Sequence, residues 1–240
     1  MTDDSWHSYP AVYALGHAAL ADLLDGDVVV QEKIDGSQFS FGRFDDELRV
    51  RSKGKVMYPD APEAMFRRAV ETVKDLVLVP DWTYRGEVLS KPQHNALTYS
   101  RVPAGNVILF DISAGNEEYL RPEAVWREAS SCALEAVPTF YQGPGDRVTM
   151  DLLRSILDCD SILGGTKIEG VVIKNYGRFG RDKKVLMGKY VSEAFKEVHA
   201  AQWKTANPGG KDIIAALIMA YRTEARWQKA VQHMRDEGVL

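Results

Sequence analysis

Glu32-Lys33-Ile34-Asp35-Gly36-Ser37 lies between two segments that have the composition of β-strands. Val28-Val29-Val30 precedes it, and Phe39 and Phe41 follow it at a period of two. Runs of β-branched residues and alternating aromatic residues favour strands, and a glycine between two such runs favours a tight bend. The stretch therefore predicts a strand, a bend and a second strand, and we interpret the segments on either side from it.

The lysine in this stretch is the first candidate for chemistry. Strand alternation places Lys33 and Asp35 on one face and Ile34 on the other. A lysine becomes a nucleophile once its amine is deprotonated, and cationic or dry surroundings lower its pKa. Gly36 would let a bulky ligand approach the backbone. The alternative is a surface lysine paired with Asp35, and the short pattern alone does not separate the two.

Composition narrows the class of protein. The chain has 240 residues, of which 45% are hydrophobic, and this suits one sizeable core with a small appended element. The net charge of -4 means that a nucleic-acid-binding surface would need its basic residues gathered locally. Cys132 and Cys159 form neither a disulfide framework nor a metal-ligand spacing, so we expect a cytoplasmic protein. Asp3 and Asp4 do not fit a signal peptide, and no stretch is apolar and long enough to span a membrane.

Hydrophobic periodicity predicts strands and helices along the chain. Strands are predicted over 27–34, 37–44, 48–52, 84–88, 106–112, 169–174 and 185–191. Helices are predicted over 12–24, 62–77, 121–136, 149–158, 193–203 and 212–234. The polar segment 91–101 is too irregular for either and predicts a loop, where functional residues often lie. The predicted fold class is α+β, with mostly antiparallel sheets, flanking helices and a short helical C-terminal tail.

Two segments of this acidic chain are basic. One contains Arg49, Arg51, Lys53 and Lys55, and the other runs from Arg178 to Lys189. Lysines commonly protect exposed strand edges, so a solvated edge is one interpretation. The other interpretation is a phosphate-binding surface beside the candidate lysine, because guanidinium and ammonium groups bind phosphate.

The order of short motifs resembles that of the covalent nucleotidyltransferase superfamily, which contains ATP-dependent DNA ligases, RNA ligases and mRNA capping enzymes. These motifs are Lys33-Ile34-Asp35-Gly36, Arg51-Ser52-Lys53-Gly54, Tyr84-Arg85-Gly86-Glu87, Leu109-Phe110-Asp111-Ile112, Glu169-Gly170-Val171-Val172-Ile173-Lys174 and a last strand that contains Lys189. The sequence from Glu32 to Ser40 and the segment from Lys91 to Pro103 resemble the RNA ligase 2 type in particular. The resemblance covers roughly Asp27 to Phe195. Each motif is weak alone, whereas their combined order and spacing is a strong signal.

The resemblance implies an ATP-dependent RNA ligase that forms phosphodiester bonds. Lys33 would attack the α-phosphorus of ATP and become lysyl-AMP, AMP would pass to the 5′-phosphate of RNA, and a 3′-OH would then displace AMP. The implied cofactors are ATP, as covalent AMP, and Mg²⁺ or Mn²⁺. The implied partner is RNA with 5′-phosphate and 3′-OH ends, and we expect a monomer that acts in RNA repair.

The same resemblance implies roles for individual residues. The catalytic candidates are Lys33, Asp35, Arg51, Glu169, Lys174 and Lys189. The nucleotide-binding candidates are Glu32, Lys33, Gly36, Arg51, Glu87, Phe110, Lys174 and Lys189. In these roles Asp35 orients the nucleophile, Glu87 holds the ribose, Phe110 stacks on adenine, Glu169 binds metal, and Arg51, Lys174 and Lys189 contact phosphate. Ideal alternation puts Glu169 and Lys174 on opposite strand faces, so both reach the cleft only if the strand twists or ends near Lys174.

The last motif departs from the family pattern. It usually reads Lys-x-Lys, but here it reads Met187-Gly188-Lys189. Either Lys183 or Lys184 takes the role of the missing lysine, or the enzyme uses Lys189 as its only lysine of this motif. The departure leaves the efficiency of the first step open.

Domain organisation separates this chain from some of its relatives in the superfamily. We expect residues 1–204 to form the nucleotidyltransferase domain and residues 205–240 a small helical C-terminal extension. No run of short strands follows Phe195, which argues against the oligonucleotide-binding barrel of DNA ligases and capping enzymes. The alternatives are a DNA nick ligase of the same fold, a non-ligating nucleotide- or RNA-binding module, and a scaffold whose motif matches are coincidental.

Overall fold

A computed structural model describes residues 5–192 of this protein. Within that range, no helix is both apolar and long enough to cross a membrane. The helices predicted over 193–203 and 212–234, and the domain boundary predicted after residue 204, lie outside the described residues.

Strands dominate residues 5–192, and they form two sheets. The strands are β1 (Val12–Ala14), β2 (Asp27–Lys33), β3 (Ser37–Phe44), β4 (Glu47–Ser52), β5 (Val56–Met57), β6 (Thr83–Val88), β7 (Val107–Gly115), β8 (Glu118–Tyr119), β9 (Glu135–Ala136), β10 (Thr139–Pro144), β11 (Gly170–Phe179) and β12 (Val185–Val191). The helices are α1 (Arg67–Lys74), α2 (Pro122–Ser131) and α3 (Met150–Leu157). One sheet has the order β1-β12-β11-β2-β10 and the other β5-β4-β3-β6-β7-β8, with β9 beside β7. Only β1–β12 and β7–β9 pair in parallel among these strands, which confirms the predicted α+β fold of mostly antiparallel sheets.

The larger sheet buries one face against α1 and α2. Phe39 and Phe41 of β3 are fully buried there, together with Val70 of α1 and Leu109 of β7. Because side chains alternate along a strand, Gln38 points to the opposite face, where it lines a cavity.

The smaller sheet is packed in the same way on α3. Val30 of β2 and Ile173 of β11 are fully buried in a cluster with Leu153 of α3. The alternate residues of these two strands face the same cavity, and they are Gln31, Lys33, Val172 and Lys174. Because side chains alternate along these strands, every second residue packs in the core and the residues between them face the cavity.

The helix predicted over 12–24 is wrong. Val12–Ala14 is β1, which runs parallel to β12, and a 3₁₀ turn over Ala18–Leu20 follows it. The backbone N–H of Leu15 donates to the Lys189 carbonyl oxygen at 2.8 Å. Gly16 has a φ of +94°, which a right-handed helix does not contain. Hydrogen bonds to the edge of β12 therefore outweigh the helix propensity of the alanines in this segment.

Two other predicted helices are shorter than expected. The helix predicted over 62–77 is α1, which starts after a 3₁₀ turn over Ala64–Phe66. The helix predicted over 121–136 ends at Ser131, because Ala133 has a φ of +54° and the residues of β9 pair with β7. Segment 91–101 contains neither helix nor strand, which confirms the predicted loop.

Candidate active site

Lys33 is the last residue of β2 and lies beside β11. Its Nζ donates to Glu169 Oε2 at 2.8 Å. The Lys33 side chain is 26% exposed and that of Glu169 is 5% exposed. The two residues are 136 positions apart in the sequence, and the pairing of Lys33 with Gly170 brings them together.

The protein groups around Lys33 set its charge. Burial by itself would lower the pKa of the Lys33 amine, but the charge and hydrogen bond of Glu169, with Glu87 and Asp35 nearby, raise that pKa above its usual value. Burial also raises the pKa of Glu169, although the Lys33 charge acts in the opposite direction. The surrounding groups therefore favour the protonated amine, so Lys33 must lose a proton before it can act as a nucleophile.

Lys174 lines the cavity beside Lys33, whereas Glu169 bonds to Lys33 but is not among the residues that line that cavity. β11 begins at Gly170, and Glu169 occupies the bend that precedes the strand. Lys174 follows the strand alternation and shares the cavity face with Val172. The regular strand begins after Glu169 and continues past Lys174, so of the two conditions that the sequence prediction gave, a twist or an end near Lys174, the second is wrong.

A cavity of about 570 Å³ opens beside Lys33 and is lined by both sheets. The predicted site residues in its wall are Glu32, Lys33, Gly36, Glu87, Phe110, Lys174 and Lys189. Ile34, Val137 and Val172 add an apolar surface to the same wall. Small-molecule sites commonly have volumes of about 300–1,000 Å³ and an apolar wall with a few polar groups, so the cavity suits a nucleotide-sized ligand.

Glu87 carries a buried oxygen without a partner at this cavity. Its Oε2 has no hydrogen bond within residues 5–192. Burial raises the pKa of Glu87 to about 8, and the charge of Lys33 lowers it only in part. A Cβ at Gly36 would lie 3.1 Å from Glu87 Oε2 and 2.9 Å from the Val88 carbonyl oxygen, so only glycine fits beside this carboxyl group. Buried polar atoms are nearly always paired, which makes this oxygen a candidate ligand contact.

Lys174 is buried, and its ammonium group is already bonded within the protein. Its Nζ donates to the Phe110 carbonyl oxygen at 2.8 Å and to Asp111 Oδ2 at 2.9 Å. Tyr176 donates to Asp111 Oδ1 at 2.5 Å, and Tyr9 donates to Asp111 Oδ2. Burial lowers the pKa of Lys174, and the Asp111 carboxylate offsets only part of this effect. Because an ammonium group has three donors, one N–H of Lys174 remains for a ligand.

Phe110 and Lys189 face the cavity from opposite sheets. The Phe110 ring lies edge-to-face with the Tyr9 ring at 5.1 Å and lies 5.2 Å from Lys174 Nζ. Lys189 of β12 is half-buried and stands opposite Val172 of β11. The cavity therefore combines an aromatic ring in one sheet with an ammonium group in the other.

The missing lysine of the last motif has no substitute from the preceding turn. Met187 is 1% exposed and lines a different cavity from Lys189. Lys184 Nζ donates to Ser8 Oγ at 2.9 Å, outside the cavity at Lys33. Lys183 is exposed and does not line that cavity either.

Asp35 turns its carboxylate towards the loop that follows β6. Asp35 Oδ2 accepts hydrogen bonds from the backbone N–H groups of Ala96 at 2.7 Å and Leu97 at 2.8 Å. The Asp35 N–H donates to the Tyr99 hydroxyl at 2.8 Å. The expected shared face of Lys33 and Asp35 is wrong, because β2 ends at Lys33 and the alternation stops there. The Asp35 carboxylate thus contacts the loop and not the Lys33 ammonium group.

The same loop is bonded to the rest of the bend. Asn95 Nδ2 donates to the Gly36 carbonyl oxygen at 2.8 Å, and His94 Nε2 shares a hydrogen bond of 2.9 Å with Ser37 Oγ. Burial lowers the pKa of His94, which favours a neutral imidazole. The polar segment predicted as a functional loop therefore supports the residues on either side of the candidate nucleophile.

Glu32 and Arg51 use their side chains away from Lys33. Glu32 Oε1 accepts from Ser161 Oγ at 2.6 Å, and its Oε2 accepts from the Ile162 N–H at 3.1 Å. Arg51 lies opposite Ser40 in the larger sheet, and its guanidinium carbon lies 5.9 Å from the centre of the Trp6 ring. Arg51 does not line the cavity, so its predicted phosphate contact is not visible in this arrangement.

Comparison with known proteins decides the family. The RNA ligase family model matches residues 26–191, which is most of the chain and includes Lys33, Glu87, Phe110, Glu169, Lys174 and Lys189. The chain belongs to the RNA ligase family. No curated protein matches the sequence.

Solved structures of the Naegleria gruberi RNA ligase are similar to this family member in fold. An aspartate-to-alanine mutant without ligand and a glutamate-to-alanine mutant with ATP and Mn each match with a TM-score of 0.56, 19% identity and 81% of this chain covered. A lysine-to-methionine mutant with AMP and Mn matches with a TM-score of 0.56, 19% identity and 80% coverage. The match spans only 58% of the Naegleria chain in each case.

This RNA ligase family member has cavity residues that the sequence interpretation missed. Tyr9–Tyr13 forms one wall, and Gln31 also lines the cavity, where its buried Oε1 has no partner among the described residues. Alternation from Lys33 could have identified Gln31, whereas no local signal indicates the Tyr9 segment. Of the basic segment that was predicted beside Lys33, Lys53 reaches the cavity and Arg51 does not.

The carboxylate of Glu169 fits a divalent cation. It lies beside the nucleophile, with Oε2 at 2.8 Å from Lys33 Nζ. Mg²⁺ and Mn²⁺ prefer oxygen ligands, and Mg²⁺ usually keeps several waters when it is bound together with phosphates. Residues 5–192 contain no group of three or more histidine, cysteine or acidic side chains arranged as a complete metal site, as expected if water and substrate supply the other ligands.

Proposed function

We propose that this protein is an ATP-dependent RNA ligase that joins 3′-OH and 5′-phosphate RNA ends through lysyl-AMP and adenylylated RNA. The observation that carries the proposal is Lys33, whose amine bonds to Glu169 at the wall of a nucleotide-sized cavity. The family match supports the ligase activity, and the ATP and AMP bound by the Naegleria gruberi RNA ligase support the choice of nucleotide.

In the first step, the Lys33 nitrogen attacks the α-phosphorus of ATP. A nitrogen–phosphorus bond forms, the bond between the α-phosphorus and the bridging oxygen breaks, and pyrophosphate leaves. The amine must lose a proton, and the nearest acceptor is Glu169 Oε2 at 2.8 Å. The raised pKa of Glu169 suits this transfer, because a carboxylate with a raised pKa takes up a proton more readily.

In the second and third steps the same cavity acts on RNA. An oxygen of the RNA 5′-phosphate attacks the phosphorus of lysyl-AMP, so Lys33 leaves and a pyrophosphate link forms between AMP and the RNA end. The RNA 3′-OH then attacks the 5′-phosphorus, loses its proton and displaces AMP, so one phosphodiester bond is made. Each step is a displacement at phosphorus, where the protein mainly positions groups and balances charge.

We assign the nucleotide contacts from the cavity wall. Phe110 stacks on the adenine, and the unpaired Oε2 of Glu87 accepts a hydrogen bond from the ribose. The unpaired Oε1 of Gln31 accepts from the exocyclic amine of adenine, a donor that guanine lacks at the same ring position. Lys53 and Lys189 contact phosphate, together with the free N–H of Lys174. The resemblance gives Arg51 a phosphate contact outside the present cavity wall, and we propose that Asp35 orients the nucleophile indirectly, through its bonds to the loop after β6.

Glu169 would hold Mg²⁺ or Mn²⁺ through its carboxylate oxygen atoms and water. The bound cation supplies positive charge that balances the phosphates of ATP. The Mn in the Naegleria gruberi RNA ligase structures supports this assignment.

The domain assignment belongs to the same proposal. We propose that the nucleotidyltransferase domain predicted over residues 1–204 carries the ligase activity, and that the protein acts as a monomer in the cytoplasm on broken RNA. Met187 favours one other function, a module that binds ATP or RNA without ligating it, because one expected phosphate lysine is absent. A DNA nick ligase is separated from an RNA ligase by comparing the sealing of RNA and DNA 3′-OH nicks.

Mass spectrometry of the intact protein after incubation with ATP and Mg²⁺ tests the first step. We expect an AMP adduct on Lys33 and its loss in Lys33→Ala. Lys167→Ala is the matched control, because Lys167 bonds to Asp160 at 2.8 Å, its side chain is 61% exposed and it does not line the cavity. Absence of the adduct from the wild type, or an adduct that persists in Lys33→Ala, would contradict the proposal.

A further inference from the structure

A second cavity, of about 550 Å³, adjoins the cavity at Lys33. The two cavities share Ala11 and Tyr13 of the N-terminal segment. Met187 lines the second cavity and Lys189 the first, and two residues of a strand span about 7 Å. A polymer that leaves the first cavity can therefore enter the second across a single strand.

The rim of the second cavity is the tip of the hairpin between β11 and β12, residues 179–184. The Gly180 N–H donates to the Lys184 carbonyl oxygen at 2.8 Å, and the Lys183 N–H donates to the Gly180 carbonyl oxygen at 3.0 Å. Asp182 Oδ1 accepts from the Lys184 N–H at 3.2 Å. These bonds hold the tip in one turn, so its outward side chains project in defined directions.

The outward side chains are an aromatic ring and two cations. Phe179 is 55% exposed, which is unusual for so large an apolar side chain. Arg181 and Lys183 are exposed and have no bonded partner within the described range, whereas Lys184 bonds to Ser8. An exposed aromatic ring that is close in sequence to cations without a bonded partner is typical of surfaces that bind single-stranded nucleic acid.

The lining of the second cavity contains two acidic and two basic side chains, so it carries no net charge. These are Asp22, Asp182, Arg181 and Lys184. Asp182 and Lys184 are engaged in bonds of the turn and with Ser8. A neutral interior with the rings of Tyr13 and Phe179 suits a nucleobase better than a phosphate, and the cations at the rim suit the phosphates on either side.

We propose that this cavity and the hairpin tip bind an unpaired part of the RNA substrate next to the reactive end. One base stacks on Phe179, and the neighbouring phosphates contact Arg181 and Lys183. The proposal rests on the proposed function for the identity of the polymer. It adds that the ligase prefers an end with unpaired nucleotides over a nick in a continuous duplex, whose bases are stacked and paired and are not available to Phe179.

Fluorescence anisotropy with two labelled RNAs tests the stacking contact. One probe is a 5′-phosphorylated single strand, and the other is a fully paired nicked duplex. Base stacking on an aromatic side chain corresponds to a loss of roughly 5- to 100-fold in affinity on alanine substitution. We expect this loss for Phe179→Ala on the single strand, recovery with Phe179→Trp, and no change on the duplex.

The dependence of affinity on salt tests the two cations. Each phosphate contact with single-stranded nucleic acid contributes about 0.7 to the slope of log affinity against log salt. Arg181→Ala combined with Lys183→Ala should therefore reduce the slope by about 1.4, whereas Phe179→Ala should leave it unchanged. Trp126→Ala combined with Arg127→Ala is the matched control on α2, because Trp126 is 62% exposed and Arg127 follows it, and we expect wild-type binding.

Lys33 adenylylation, measured by mass spectrometry on the same variants, separates this proposal from the proposed function. We expect every hairpin variant to form lysyl-AMP as the wild type does. Phe179→Ala with wild-type affinity for the single strand would overturn the proposal, as would equal losses in the control variant. Wild-type protein that forms lysyl-AMP but binds no single-stranded RNA would also overturn it, and would indicate that a protein partner covers the patch. If Phe179→Ala loses RNA binding but the wild type forms no lysyl-AMP, the proposed RNA-binding surface would be supported and the proposed ligase function would be refuted.

Discussion

Replacing Asp35 with alanine tests whether the bend at Lys33 is held in place by the loop after β6. The Asp35 carboxylate is 7% exposed, and its Oδ2 accepts two backbone N–H groups at 2.7 and 2.8 Å. Hydrogen bonds to a charged group contribute about 1.5 kcal/mol each at the low end, so the loss of both lowers the free energy of unfolding by about 3 kcal/mol. This is a large part of the roughly 5–15 kcal/mol that stabilises a typical domain.

Urea denaturation of wild type and Asp35→Ala measures this loss. Asp60→Ala is the control, because Asp60 accepts a hydrogen bond from Lys74 Nζ at a similar 2.7 Å but its side chain is 94% exposed. Water replaces such an exposed contact, so we expect the control to unfold at nearly the wild-type urea concentration. The comparison separates the effect of burial from that of hydrogen-bond length.

Tyr99→Phe provides the second half of the test. The Tyr99 hydroxyl accepts from the Asp35 N–H at 2.8 Å, so this variant removes a neutral contact between the same bend and the same loop. We expect a loss of about 1 kcal/mol, and a double variant that loses less than the sum, because residues in one network are coupled. A free energy of unfolding within about 0.5 kcal/mol of wild type for Asp35→Ala, with lysyl-AMP formation abolished, would refute the reasoning and assign Asp35 to Lys33 directly.

Three further predictions concern buried polar groups of the site. The pKa of Glu87 is about 8 in the folded protein and 4.5 in the unfolded chain, so the free energy of unfolding falls as pH rises between these values. In urea denaturation at several pH values, Glu87→Gln should show a weaker dependence of this free energy on pH. Lys174→Met leaves the Asp111 charge buried and unpaired, so we expect a loss of about 3–5 kcal/mol by urea denaturation. Gln31→Leu removes the acceptor for the adenine amine, and lysyl-nucleotide formation should lose about tenfold of its preference for ATP over GTP.

The elements that sequence predicts well are those whose pattern reflects local burial. β2 and β3 were predictable because Val28 and Val30, and Phe39 and Phe41, bury one face of each strand at a period of two, and that alternation needs no knowledge of the partner strands. The segment Val12–Ala14 was not predictable, because its hydrogen bonds come from β12, more than 170 residues away in the sequence. Local helix propensity contributes less free energy than the hydrogen bonds that the edge of the sheet provides to this segment.

The same distinction between local pattern and distant partners applies to the candidate site. Motif order identified Lys33, Glu87, Phe110 and Glu169, and the structure brings these residues to one cavity or into direct contact. Motif order does not indicate which side-chain atoms already have hydrogen-bond partners, because those partners come from distant segments of the sequence. The Lys174 ammonium group is bonded to Asp111, an interaction between two strands of different sheets that no spacing rule contains.

The missing lysine at Met187 raises the question of which groups balance the charge of ATP. Among the described residues, four lysines line the cavity, but Lys33 must be neutral when it attacks and Lys174 is paired with Asp111. Lys189 and Lys53 are therefore the cations left for the phosphates, one from each sheet. We expect Lys53→Ala to raise the ATP concentration needed for half-maximal lysyl-AMP formation about tenfold or more, the loss of one charge-assisted contact. Lys55→Ala is the matched control, because Lys55 lies two residues further on and bonds to Glu63 at 3.4 Å outside the cavity. Equal ATP dependence in the two variants would show that Lys53 does not take over from the lysine that Met187 replaces.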